Sequence, residues 1–322
     1  MNSNLTELYV WIWLPNETEP VVAGRLAAQG RTYIFNYGRS YLERHNAIPI
    51  YDAELPLTSG VIPLVAGLTM PGCLRDASPD AWGRRVILNK RFGKTALQID
   101  PGSIDELSYL IESGSDRIGA LDFQRSPTEY IPRLASGAPL EELIKAAELV
   151  EKGVPLTPEL AQALQHGTSI GGARPKALVQ SDNHKFIAKF STSTDLYSVV
   201  KAEFIAMKLA LMAGLHVAPV NLLQVAGKDV LMVERFDRVA APAGWQRKGI
   251  VSVSGNVKMT HFGNRKLTHS SSILADLEGR HDRKGRVYGS QNSQEAGQEH
   301  PGDLAYHRTL PQHGQEIPQV DR

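Results

Sequence analysis

The chain has 322 residues, 42% of them hydrophobic and 21% charged, with a formal net charge of +1. That balance excludes a global basic field for nucleic acid, and the single cysteine, Cys73, excludes a disulfide framework or a cysteine-rich zinc site. No stretch reaches about 18 consecutive apolar residues and the N-terminus carries no basic-then-apolar leader, so a cytoplasmic protein of about two domains, without a membrane partner, is expected.

In chain order, Leu8 to Leu14 is rich in β-branched and aromatic residues and stops at Pro15-Asn16, which predicts a strand. Thr32 to Tyr37 alternates and ends at Gly38, a second strand. Ser78-Pro79-Asp80 predicts a helix start with Ser78 as cap, running to Phe92-Gly93. Ser103 before Asp105-Glu106 predicts a short helix through Ile111. Pro139 to Glu151 carries Leu140, Leu143, Ile144 and Leu149 on one face, with Gly153 as stop. Thr157-Pro158-Glu159 opens another short helix, ending at Gly167.

Beyond Gly167 the pattern turns to β. Ala177 to Gln180 and Phe186 to Phe190 flank Asp182-Asn183-His184, a hairpin. Tyr197 to Leu215 repeats apolar residues at helical spacing, with Gly214 near its end. Leu222 to Val225 and Val230 to Val233 flank Gly227-Lys228, a second hairpin, followed by Glu234-Arg235-Phe236.

This order matches the needs of a kinase small lobe. A glycine-rich turn, Thr168 to Lys176, lets backbone amides approach phosphates. A lysine on the next strand, Lys189, reaches the phosphates, and a glutamate on the next helix, Glu203, holds that lysine. Glu234 to Phe236 is placed to meet adenine through backbone groups. Each signal alone has a plainer explanation: a tight loop, a lysine reaching out from an edge strand, a glutamate on a solvated helix face. The loop is not a Walker A motif, because Ala173-Arg174 stands where Lys-Ser/Thr is required.

Four stretches carry a family resemblance: Leu74 to Arg84, Ser115 to Leu121, Ser169 to Lys176, and Val233 to Arg238. Over residues 8–250 the chain resembles the HipA toxins, serine/threonine kinase components of bacterial type II toxin–antitoxin systems. The resemblance implies an α+β protein with a HipA-like N-terminal subdomain over residues 1–130 and a protein-kinase-like small lobe over residues 131–250. It implies ATP and Mg2+ as cofactors. Gly171, Gly172, Ala173, Arg174, Pro175 and Lys176 would form the loop over the phosphates, Lys189 would contact them, and Glu234 and Phe236 would frame the adenine. Ser169 falls where the family carries the serine that is autophosphorylated to switch the kinase off; Thr168 is a competing acceptor, and a plain turn serine is the alternative. Partners implied are a HipB-like helix-turn-helix antitoxin, DNA only through that antitoxin, and an aminoacyl-tRNA synthetase as substrate. Arg84-Arg85 and Asp116-Arg117 are expected to be structural ion pairs or antitoxin contacts.

The chain departs from the family at its end. A catalytic aspartate followed five residues later by a metal-binding asparagine is required, and no aspartate here has that partner. His281-Asp282-Arg283 is followed by Val287 at the decisive position. Only about a quarter of residues 251–322 are apolar, while six of the ten histidines fall there. Such a tail is expected to be disordered. A shift of reading frame near residue 250 explains it most simply; a genuine regulatory tail and a histidine-rich metal segment are the alternatives, the last without paired ligand spacing. The expected function is a truncated, catalytically impaired HipA-type kinase, with a non-enzymatic antitoxin-binding remnant as the alternative.

Overall fold

The structure, a computed structural model, describes residues 5–134, 137–165, 173–181, 183–192 and 194–251. The expectations placed on Thr168, Ser169, Gly171, Gly172 and the tail beyond residue 251 lie outside the described residues.

The strand predicted at Leu8 forms β1, Glu7–Trp13. Its alternation sends Leu8, Val10 and Ile12 into one apolar core. Trp11 and Trp13 point to the other face, where Tyr130 packs against both rings at centroid distances of 5.3 and 5.5 Å. The Arg247 guanidinium lies 3.3 Å over Trp13. Both faces of β1 are therefore covered, which accounts for its near-continuous apolar sequence.

Next in the chain come β2 (Pro20–Gln29), β3 (Thr32–Tyr37), and the one-turn helices α1 (Arg39–Leu42) and α2 (Gly72–Arg75). Then follow α3 (Ala81–Phe92), α4 (Glu106–Glu112) and β4 (Leu121–Gln124). The first sheet is antiparallel, in the order β3-β2-β1-β4. β2 was not anticipated: its Gly24-Arg25-Leu26-Ala27-Ala28 run lacks clean alternation. Gly24 sits beside an irregularity in the β1–β2 register, and a Cβ there would stand 2.2 Å from the Asn36 carbonyl oxygen.

The two Ser-led helix starts move. Asp80, not Ser78, caps α3, its Oδ1 accepting from the Gly83 amide at 2.6 Å. Asp105, not Ser103, caps α4, accepting from Ser108. Ser103 instead closes a short 3-10 turn, its hydroxyl donating to the Asp100 carbonyl. In each case a carboxylate stood two residues beyond a serine, and the carboxylate is the acceptor used at the positive end of the helix.

The second part holds α5 (Leu140–Glu151), α6 (Pro158–Gln165), β5 (Lys176–Ser181), β6 (His184–Phe190), α7 (Val199–Met212), β7 (Val220–Val225) and β8 (Lys228–Glu234). A short hairpin of β9 (Arg238–Ala241) and β10 (Gly244–Arg247) follows. The second sheet is antiparallel in the order β5-β6-β8-β7. Ala226 and Gly227, with φ of 48° and 75°, close the β7–β8 hairpin in the left-handed conformation that a two-residue turn requires. One face of this sheet packs Ala177, Ala188, Phe190, Val230 and Met232 against Trp82 and Val86 of α3 and against α5 and α6. The other face packs Leu231 and Val233 against Val200 and Met207 of α7. Ser198 caps α7, and Gly214, at φ 80°, follows its end, as the spacing predicts. The outer face of α7 leaves Ile205, Leu209, Leu211 and Met212 exposed. The architecture is α+β.

Candidate nucleotide-binding site

The pleat of β6 decides where its lysine goes. Ala188 and Phe190 enter the core under α5 and α6, so Lys189 projects to the α7 side with Ile187. Glu203 lies on the second turn of α7. The Lys189 Nζ reaches the Glu203 Oε1 at 2.5 Å, with the two side chains 18% and 12% exposed. The strand lysine and helix glutamate singled out in the sequence are thus brought together.

The approach to β5 is fixed on both sides. Arg174 donates from Nη1 to both carboxylate oxygens of Asp195, at 2.8 and 2.9 Å. Burial pushes the Asp195 carboxyl up, but the Thr192 amide and hydroxyl together with Arg174 hold it below the ordinary value. The Pro175 carbonyl accepts from the Phe190 amide at 3.0 Å, and Ala173 is exposed. Lys176, the first residue of β5, is buried, and its ammonium donates to Asp80 Oδ2 at 2.8 Å. Burial pushes Lys176 down and Asp80 up, each opposed by the charge of the other. Trp82 donates from its indole to the Lys176 carbonyl at 3.1 Å.

Glu234, at the end of β8, accepts from or pairs with His184 Nδ1 at 2.9 Å, and its amide donates to the Pro219 carbonyl. Phe236 is half-buried against the Leu231 and Val233 cluster. It also lines a cavity of about 630 Å³ with His216 to Pro219, Ile118 and Val239. Lys189 and Glu203 are not among that cavity's lining residues.

The residues flanking Phe236 form a cluster whose pairing was not legible in the sequence. Arg235 donates to Asp237 Oδ1 and Oδ2 at 2.9 and 2.7 Å and to Asp116 Oδ1 at 3.0 Å. Arg238 donates to Asp116 Oδ1 at 3.0 Å and Asp237 Oδ2 at 2.8 Å. Lys185 reaches Asp116 Oδ2 at 2.6 Å, and the Gly119 amide donates to Asp237 Oδ2 at 2.8 Å. Burial pushes the Asp237 carboxyl up, yet Arg235 and Arg238 outweigh it and hold Asp237 at about 2. The same guanidiniums hold Asp116 well below the carboxylate range against its burial. Beside it, fully buried Arg117 pairs with Asp122 at 2.8 Å. Asp116 and Arg117 are therefore structural ion pairs. Arg84 pairs with Glu106 at 2.7 Å, while Arg85 is exposed. The sequence signal was present: Ser115-Asp116-Arg117 and Glu234-Arg235-Phe236-Asp237-Arg238 are two charge-dense runs in otherwise apolar surroundings. That they pair with each other is a non-local fact.

Residues 12–124 match the family model for the HipA N-terminal domain. Residues 168–287 match the model for the HipA-like C-terminal domain. Two such modules in this order define a HipA-type chain. The protein belongs to the HipA family. The C-terminal match runs to residue 287, so family similarity continues past residue 250, where composition alone would end it. No curated protein matches. Among solved structures, the chain is similar to one described as the Shewanella oneidensis MR-1 toxin–antitoxin system HipA, HipB and its operator DNA complex, with 21% identity and a TM-score of 0.46. That match covers 74% of this chain and 53% of the other, so this chain spans about half the length of the structure it matches.

Proposed function

We propose that the chain is a HipA-type serine/threonine kinase toxin whose second sheet is a kinase-like small lobe that binds ATP, and whose catalysis is impaired. The observation that carries the reading is the Lys189–Glu203 pair, a strand lysine held by a helix glutamate at 2.5 Å. ATP, when bound, supplies the phosphoryl group. Lys189 neutralises and orients its phosphates, Glu203 fixes the lysine, and the loop from Gly171 to Lys176 covers the phosphates. Glu234 and Phe236 lie at the strand end where backbone groups meet the adenine. The division of the chain near residue 130, the autophosphorylation of Ser169 and an aminoacyl-tRNA synthetase as substrate belong to the same reading. Among the described residues no three ligating side chains gather around one point that would hold Mg2+. The impairment rests on the missing aspartate–asparagine spacing in the 322 residues.

Titration of the purified chain with a fluorescent ATP analogue tests the reading. Saturable binding that is lost in Lys189→Ala is expected; no saturable binding, or equal binding by the variant, overturns it.

A second reading is favoured by the closed core under the first sheet, which buries Leu8, Val10, Phe35, Tyr41, Leu107 and Phe123 without help from the second sheet. The chain then acts without catalysis, as a partner of a HipB-like antitoxin, and touches DNA only through it. Co-purification with that antitoxin at micromolar concentration is the expected result, and no complex would refute it.

A further inference from the structure

One end of the β5–β6 ladder is the Lys176–Lys189 pair, and the Phe190 amide adds a further bond to the Pro175 carbonyl. Beyond that bond the two chains are joined by side chains. Arg174 donates from Nη1 to Asp195 Oδ1 and Oδ2 at 2.8 and 2.9 Å. The Thr192 hydroxyl donates to Oδ1 at 2.8 Å, and the Thr192 amide to Oδ2 at 3.0 Å. The Asp195 carboxylate thus accepts four contacts, about as many as its lone pairs allow. Its side chain is 9% exposed.

Arg174 keeps donors in hand. A guanidinium carries five N–H donors in one plane, and Asp195 engages only Nη1. Among the described residues no acceptor meets Nε or Nη2, and the side chain is 36% exposed. Nε and Nη2 form the edge that takes two oxygens of a phosphate side by side. Held through Nη1, the group is oriented with that edge open, and an oriented side chain loses less freedom on meeting an anion. Asp195 lies between β6 and α7, so the same contact ties Arg174 to the connection leading into the helix that carries Glu203.

We propose, resting on the nucleotide reading given above, that Arg174 binds a phosphate group through its Nε–Nη2 edge and that Asp195 is the positioning residue that presents it. Asp195 itself touches no ligand. It acts through Arg174, and Thr192 fixes it in turn.

The test uses the full chain, with pyrophosphate and adenosine as separate competitors of the fluorescent ATP analogue. Arg174→Gln is expected to weaken displacement by pyrophosphate about tenfold, the scale of one charge-assisted hydrogen bond. Displacement by adenosine is expected to stay unchanged. Asp195→Asn is expected to act in the same direction by a smaller factor, and the double variant to lose no more than Arg174→Gln alone. A loosened fold would weaken both competitors. An equal loss for adenosine, additive losses, or unchanged pyrophosphate displacement in either single variant overturns the proposal. Labelling by phenylglyoxal, followed at Arg174 by peptide mass spectrometry, reads the anchor without the analogue. Asp195→Asn is expected to label Arg174 several-fold faster, while buried Arg117, Arg235 and Arg238 stay unlabelled as a check on folding. Equal rates at Arg174 overturn the positioning role. Asp195→Glu, which keeps the charge and displaces it, takes the place of the asparagine variant if the buried arginines become labelled. Pyrophosphate is expected to protect Arg174 in the unsubstituted chain. Protection without saturable binding of the analogue leaves the anion site standing and overturns the nucleotide reading. Binding of the analogue without protection by pyrophosphate overturns the proposal and leaves that reading standing.

Discussion

Two groups of charges, one joining the sheets and one on the second sheet, differ in how completely they are closed. In the first, Arg235 and Arg238 are 1% exposed and Asp237 3%. Asp116 takes donors from Arg235, Arg238 and Lys185, and Asp237 from Arg235, Arg238 and a backbone amide. Carboxylates so fully engaged have little acceptor capacity left for a ligand. In the second, Lys189 and Glu203 pair with side chains 18% and 12% exposed. The first arrangement fixes the relation of β9 and its flanks to the Asp116 turn; the second, less buried, is the one proposed above to meet a phosphate. Charge density along the sequence does not separate these roles, whereas saturation of the acceptors does.

The largest expected effect comes from breaking the closed group. Arg235→Ala leaves Asp116 and Asp237 buried with a donor missing, and is expected to cost about 3–5 kcal/mol in urea unfolding. A cost below about 1 kcal/mol would place this group in the same class as surface pairs. Acid is the next probe. Asp237 has its folded-state value depressed to about 2, so the stability it contributes is present above the ordinary carboxylate value and is lost as pH falls toward 2. About 2.5 kcal/mol in all is expected to disappear progressively between about pH 5 and pH 1 from this group. Asp116 and Asp122, also depressed, act in the same direction. Denaturant titrations at stepped pH check this, and Asp237→Asn should flatten the slope. Glu203→Gln is expected to cost only about 1 kcal/mol of stability, because its pair reaches the surface. Its effect should appear in nucleotide affinity instead, by comparison with Lys189→Ala. The smallest effect is expected from Arg39→Ala, which removes an exposed i,i+4 pair with Glu43. A loss of about 0.5 kcal/mol or less is the expected thermal-unfolding result.

Local patterns made much of the second sheet legible. The hairpin at Asn183, the hairpin at Gly227 and the helix between Ser198 and Gly214 each follow from turn chemistry and periodicity within a short window. Lys189 and Glu203 were legible for the same reason, as each stands out as a charge in an apolar run. The helix caps were not, because two acceptors competed at each start. Asp80 prevails over Ser78 at a site where Lys176, 96 residues away in sequence, also needs a carboxylate. β2 lacked alternation, and β4, β9 and β10 have four residues each, so their pairing is set by neighbours rather than by their own sequence. The Arg235–Asp116 group depends on residues 119 apart.

That last separation bears on how the chain comes to be folded. During synthesis, the Asp116 turn emerges more than a hundred residues before its guanidinium partners, whereas both hairpins of the second sheet close within a few residues of their turns. A nascent chain ending before Arg235 holds Asp116 without these guanidinium partners. Contacts of such sequence separation are costly to form early, so their loss is expected to accelerate unfolding more than it slows folding.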